Sequence, residues 1–278
     1  MMKQVRSRAA RLALALILTG VMAGGTASAT ERVFTYTYEP ETLPKGAWEL
    51  EQWVTWRGRR NSTVGQDDYS RWQFREEIEY GVTDNYQLAL YFNSQHESFR
   101  DPATGDRTSG ALWTGVSIEN KYMLLNPASH AVGVALYLEP TISDREFELE
   151  QKLIIGQREG DWKWAVNFVH ETEWSLFQSA TEGVFEVVAG LSRSIGKRWH
   201  VGFEVRDHNE IPEYKRWENT AVFLGPVASY HTGRWWAALS VLPQVYGQNF
   251  LDDPDNNHHL DLDGHERINV RLIVGVSF

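Results

Sequence analysis

The chain has 278 residues with 27 basic and 37 acidic side chains, a formal charge of −10, and no cysteine. An acidic surface does not attract nucleic acid, and without cysteine there is neither a disulfide framework nor a thiolate metal site. Beyond residue 30 no stretch approaches the eighteen apolar residues that a membrane-spanning helix requires.

Met1–Ala29 reads as a cleaved secretory leader of the Sec pathway. Lys3, Arg6, Arg8 and Arg11 form its positive start, Leu12 to Ala23 its short apolar core, and Ala27-Ser28-Ala29 its small-residue cleavage site. Taking those four of the 27 cations away leaves 23 against 37 acids, a net of −14 on the exported chain. Residues 30–45 follow, ending Glu39-Pro40-Glu41-Thr42-Leu43-Pro44-Lys45. This stretch either enters a lumen as a plug or lies in the periplasm.

From residue 46 the chain alternates apolar and polar residues in about twelve runs of roughly ten to thirteen residues, the length of a tilted membrane strand. They cover approximately 46–57, 70–80, 85–95, 110–122, 131–141, 147–157, 162–173, 183–193, 199–208, 219–231, 235–246 and 265–278. Connections between them alternate short and long, the habit of bacterial barrels with periplasmic turns and external loops. The expected fold is all-β: a single closed antiparallel transmembrane barrel over 46–278, in the outer membrane of a Gram-negative bacterium.

The alternation assigns faces. Tyr86, Leu88, Leu90 and Phe92 share one side, as do Val132 to Leu138, Trp162 to Phe168 and Trp199 to Val205 at every second residue. Rings collect at strand ends, with Trp48, Tyr80, Tyr122, Trp162, Trp199 and Trp235 at one rim and Trp56, Trp72 and Phe147 at the other. That is the placement of aromatic girdles at the headgroup boundary. Glu76 falls on the apolar face, which calls for a bulge near Arg75–Glu77, and Pro226 and Pro243 suggest bulges in their own strands. The last strand ends on Val274, Val276 and Phe278. A terminal aromatic in that setting resembles the signal read by the barrel assembly machinery, and implies periplasmic chaperones and outer-membrane lipids as partners.

The opposite faces are charged. Glu49, Glu51, Glu77, Glu79, Glu119, Glu148, Glu150, Glu171, Glu186 and Glu204 are expected in the lumen with Arg71, Arg75, Lys121, Lys152, Lys163, Arg206, Arg267 and Arg271. Repeated E-x-E pairs put both carboxylates on one side of a strand. These charges either pair across strands and stiffen a wet interior, or line a conduit whose acidic excess favours cations or polyhydroxylated solutes. His200 and His208 alternate inward beside them, as polar lining or a proton-sensitive gate.

Leu43-Pro44-Lys45-Gly46-Ala47-Trp48-Glu49-Leu50-Glu51 resembles the start of the first barrel strand in transporters related to the phenol meta-pathway protein family. The hairpin Glu79-Tyr80-Gly81-Val82-Thr83-Asp84-Asn85 is similar too, as is Glu119-Asn120-Lys121-Tyr122 with the later Glu139-Pro140. The resemblance implies a single-chain barrel taking up small organic compounds, with no residue role carried over.

Two other constellations bear chemistry. The loop Asp252 to His265 offers His258, His259, Asp261, Asp263 and His265 as weak candidates for a divalent ion, against a solvated external loop. His96 and Ser98 share a face and resemble the base and nucleophile of outer-membrane phospholipase A, although Phe99 breaks that pattern. No phosphate-binding glycine loop or dinucleotide fingerprint appears, and no cofactor is implied. The expectation is a non-enzymatic channel or transporter for small solutes. The alternatives are a closed structural or ligand- or metal-binding barrel and, distantly, a phospholipase-like hydrolase.

Overall fold

In a computed structural model, which describes residues 32–60, 67–251 and 259–278, one antiparallel sheet closes on itself. Its strands are β1 (Trp48–Gly58), β2 (Asp67–Thr83), β3 (Tyr86–Arg100), β4 (Arg107–Leu125), β5 (Gly133–Ile142), β6 (Glu146–Glu159), β7 (Trp162–Ser175), β8 (Thr181–Ile195), β9 (Trp199–Pro212), β10 (Asn219–His231), β11 (Trp235–Asn249) and β12 (Ile268–Ser277). Among the described residues there is no helix. The leader Met1–Ala29 lies outside them.

Each strand pairs with the next, and β12 returns to β1 from Glu49↔Ser277 through Gly58↔Ile268. Beyond that ladder Trp48 and Phe278 exchange both backbone bonds, at 3.2 and 3.0 Å. The terminal aromatic is therefore the last pair of the seam. Several strands outrun their expected ends at the rim opposite the termini: β3 continues to Arg100 and β9 to Pro212. There both faces are wet, so the chain stays paired while the alternation that marks a strand fades.

Hydrophobic side chains point outward. Phe203 is 63% exposed while the next residue, Glu204, is 0% exposed. Ile118, Leu136, Leu138, Phe168, Leu191 and Leu224 are likewise exposed, and Glu49, Glu119 and Lys163 are buried. In water each such side chain would forfeit about 2 kcal/mol of burial energy. A belt of them is stable only against an apolar medium, where the closed ladder leaves no backbone group unpaired. Rings bound the belt: Trp48 packs on Tyr80 with centroids 4.5 Å apart and Trp199 on Tyr230 at 4.8 Å, with Trp56–Trp72 and Phe147–Trp174 at the other rim.

Three expectations need correction or refinement. Glu76 is not turned inward by a bulge: β2 pairs with β1 and β3 without interruption there, and Glu76 stays outside, where Gln52 Nε2 donates to it at 3.2 Å. Arg267 is exposed rather than luminal, because β12 begins one residue later and the turn before it buries Glu266 instead. Near Pro226 and Pro243 the β10–β11 register does shift, between Val222 and Phe223, and after Phe223↔Gln244 the next Cα pair is Val227↔Ser240. In that gap the backbones lie so close that the Val241 carbonyl leaves no room for a Cβ on Gly225.

Phe203 lies four residues inside the Trp199 ring, with Leu191 and Pro226 beside it on the neighbouring strands. Replacing it by arginine should lower the unfolding free energy in phospholipid vesicles by about 2–4 kcal/mol, the cost of a cation at mid-membrane depth. Denaturant titration checks this, and an unchanged midpoint would show that the face does not meet lipid.

Candidate functional site

Residues 32–45 run inside the barrel toward the rim that carries Trp48 and Phe278. Val33, Phe34, Thr35, Thr37 and Leu43 are fully buried there. A short non-helical segment has backbone groups to satisfy, and the wall supplies partners. Glu204 of β9 receives the amides of Thr35 at 3.1 Å, Tyr36 at 2.8 Å and Thr37 at 2.9 Å, together with the Thr35 hydroxyl at 2.9 Å. Three successive N–H groups converging on one carboxylate form an anion nest turned round, with the anion on the wall and the nest on the segment.

Further anchors follow along the segment. Asn167 of β7 pairs with both backbone groups of Tyr38, at 2.6 and 2.9 Å, and Gln87 of β3 accepts from the Leu43 amide at 2.9 Å. Lys121 Nζ donates to the Glu41 carbonyl at 2.6 Å, while Lys163 lies 3.4 Å from the Glu41 carboxylate. Cations also cover the rings. Arg271 sits 3.7 Å above Tyr36, and Lys152 4.0 Å above Tyr38. Such contacts are worth about 2 kcal/mol each when desolvated.

Below the segment, β1 to β4 bury Glu49, Glu51, Glu77, Glu79 and Glu119. Trp236 Nε1 donates to Glu49 at 3.0 Å, Trp53 Nε1 to Glu51 at 2.7 Å, and Tyr91 to Glu119 at 2.5 Å. The segment adds a cation, since Arg32 stands 3.6 Å from Glu51.

Above the segment a cavity of about 550 Å³ remains. Its walls are sorted by charge. Arg57, Arg60, Arg71, Arg75 and Arg271 come from β12, β1, β2 and the residues just after β1. Glu146, Glu148, Glu171, Glu173 and Glu182 come from β6, β7 and β8, which lie diametrically opposite in a twelve-strand ring. The sorting has exceptions: Arg206 meets Glu186 and Arg145 lies beside the glutamates on the acidic side, while on the arginine side Glu266 stands 3.7 Å from Arg60 and Glu139 reaches Arg75 at 2.5 Å. The net effect is an electrostatic field directed across the barrel.

The charged residues expected in the lumen fall into three groups. Glu49, Glu51, Glu77, Glu79, Glu119, Lys121, Lys152, Lys163, Glu204 and Arg206 are buried around the segment or its floor. Arg71, Arg75, Glu148, Glu171, Glu186 and Arg271 line the cavity, and Glu150 holds Lys152 at 3.0 Å. Arg267 stands apart, as described above. Sequence reasoning missed the partners of the segment, Asn167 and Gln87, and the cavity residues Arg57 and Arg60. The Thr35-Tyr36-Thr37-Tyr38 run was a usable signal, since a solvated tail has little use for such residues.

The described part of the β11–β12 connection, residues 259–267, folds into the mouth. Gly247 N donates to the His259 carbonyl, Gln244 Nε2 donates to the Asp261 carbonyl at 2.8 Å, and Asp261, His265 and Glu266 are buried. His259 and Asp263 are exposed, and His258 lies outside the described residues. Burial, then the neighbouring His208, push the His265 imidazole down to about 3. His96 and Ser98 do not meet. His96 Nε2 pairs with Ser109 at 3.1 Å and Ser98 accepts from Arg107 at 2.8 Å, so the phospholipase-like pairing is not formed.

Glu204→Ala should free the Thr35–Thr37 amides. Bonds to a charged acceptor contribute about 1.5–3 kcal/mol each, so amide exchange at Tyr36 and Thr37 should quicken by about a hundredfold. Exchange read by NMR or mass spectrometry checks this, and unchanged protection would show that the segment is held by other contacts.

Two solved barrels share the fold. The COG4313 outer membrane channel from Pseudomonas putida F1 is similar with a TM-score of 0.60 and 13% identity, over 89% of this chain and 100% of that one. The NanC porin is similar with a TM-score of 0.53 and 11% identity, over 82% of this chain and 98% of that one. No curated protein matches the sequence. The family described as a family of unknown function, DUF6662, matches residues 26–173 and 161–278, which together span 26–278. The chain belongs to the DUF6662 family.

Proposed function

We propose that this protein is an outer-membrane channel for small polar or amphoteric solutes, shut by its own N-terminal segment in the conformation described above. The observation that carries the reading is the stacking of two features along one lumen. A cavity of about 550 Å³ lined by opposed charges sits above a peptide segment that the wall holds by hydrogen bonds and cation–π contacts, and also by apolar packing of Val33, Phe34, Tyr36 and Tyr38. The polar contacts exchange for water at small net cost, and the apolar ones set how firmly the segment stays. A solute bearing both charges would lie across the cavity with its anionic end at Arg57, Arg71 and Arg271 and its cationic end at Glu148, Glu171 and Glu173.

The outward apolar belt and ringed rims support residence in the outer membrane of a Gram-negative cell. Export by the Sec pathway and insertion by the barrel assembly machinery through the Val274-Val276-Phe278 end complete the proposal. The likeness of Leu43–Glu51 to the phenol meta-pathway family and the channel fold of the two neighbours favour uptake of small organic compounds. No catalytic step is part of this reading. A second reading, a closed binding barrel, is favoured by the full burial of Phe34 and Leu43.

Planar-bilayer recording separates the two. Deleting residues 32–44 should give steady conductance steps where the full exported chain gives few or none, and arginine-wall variants such as Arg71→Ala should shift ion selectivity toward cations. A deletion variant that folds and remains silent would contradict the channel.

A further inference from the structure

At the mouth of the lumen, on the acidic side, four side chains from two elements converge. His208 and Glu210 are two apart on β9 and so share its inner face, and the residues just before β12 bring His265 against them, with Asp261 on the far side of His265 as the neighbour of its Nε2. One ligand atom from each of His208, Glu210 and His265 lies within 4.8 Å of the others. His208 Nε2 is 3.2 Å from Glu210 Oε1, and Asp261 Oδ2 is 3.8 Å from His265 Nε2. Two ligands bound at about 2.1 Å in a tetrahedral shell stand about 3.4 Å apart, so both separations suit a shared ion.

The second observation is the state of Asp261. It is fully buried, its Oδ1 accepts the amides of Asp263 and Gly264, and its Oδ2 has no hydrogen-bond partner. A buried carboxylate oxygen facing an imidazole and left unpaired costs free energy that a cation would recover. The histidine beside it is also prepared. His208 Nδ1 meets the Glu186 carboxylate, with the Arg206 guanidinium 2.9 Å away, and these contacts orient the ring so that Nε2 faces Glu210, as a carboxylate behind an imidazole orients a metal ligand. Asn219 of β10 spans the gap, accepting from His265 Nε2 at 2.8 Å and donating to Glu210 at 2.6 Å. Its amide holds the two ligands in place and is displaced from His265 Nε2 when an ion binds.

We propose that His208, Glu210, Asp261 and His265 form a binding site for a divalent transition cation of the zinc class. Two imidazoles and two carboxylates match that class, and the absence of thiolate and of carbonyl-rich ligation disfavours copper(I) and calcium. The site ties the loop to β9 across the mouth and does not depend on the channel reading, since a closed barrel would carry it equally well.

Calorimetric titration of the full exported chain with zinc chloride in detergent micelles, after chelator stripping, tests it. One zinc per chain is expected, with affinity falling about tenfold or more in His265→Gln and in Glu210→Gln. Asp261→Asn, a near-isosteric loop change, should weaken binding without altering the far-ultraviolet circular dichroism of the barrel. His258→Gln with His259→Gln should leave affinity unchanged, and X-ray absorption should show two imidazoles around the zinc. No zinc uptake by the unaltered chain at about 100 μM, or binding that survives His265→Gln and is lost with His258 and His259, would overturn the site.

Discussion

Everything in this molecule depends on closing the hydrogen-bond ladder. β12 pairs with β1 along its whole length, and the Trp48–Phe278 exchange finishes the seam. Once every strand has two neighbours, no backbone edge needs water, and the outer face can be apolar all the way round. The interior is then the only place left for charge. Ionised groups that would be costly in lipid are enclosed, where they find each other, the N-terminal segment and water. The near-total segregation of Phe203 from Glu204, neighbours in sequence, follows from that single constraint.

Enclosure also explains why the N-terminal segment lies where it does. A wall rich in carboxylates, lysines and arginines has unmet hydrogen-bonding capacity, and a peptide backbone offers both donors and acceptors at regular spacing. Glu204, Asn167, Gln87 and Lys121 take up those groups from four different strands. Arg32 meets the acidic floor, and Tyr36 and Tyr38 lie beneath wall cations. The segment thus lines the barrel from within, by polar contacts and by the apolar packing of Val33, Phe34, Tyr36 and Tyr38. The cavity left above it keeps its arginine and glutamate walls apart because they belong to opposite sides of the ring.

The alternation of residues made the strands, their number and their facing legible, because a period of two sustained over ten residues has one meaning. It failed where that logic stops. Arg267 obeys the alternation of β12 on paper but precedes the strand, so the turn decides its direction and Glu266 takes the inner position. Glu76 remains outside because Gln52 on the adjacent strand partners it, a cross-strand fact invisible in either strand alone. Thr35 meets a residue 169 positions away, and no local pattern encodes such a pairing. The loop histidines stood out as polar residues in a row. Only the fold shows that His265 and Asp261 turn in toward His208 and Glu210 while His259 and Asp263 face out.

The natural absence of cysteine allows the inside-out arrangement to be measured directly. Nitroxide labels on single cysteines placed one at a time at positions 201, 203, 204, 205 and 206, in vesicles of residues 30–278, report contact with lipid through collision with dissolved oxygen. The account predicts high collision rates at 201, 203 and 205 and low rates at 204 and 206. A flat profile, or one with the two sets exchanged, would contradict it.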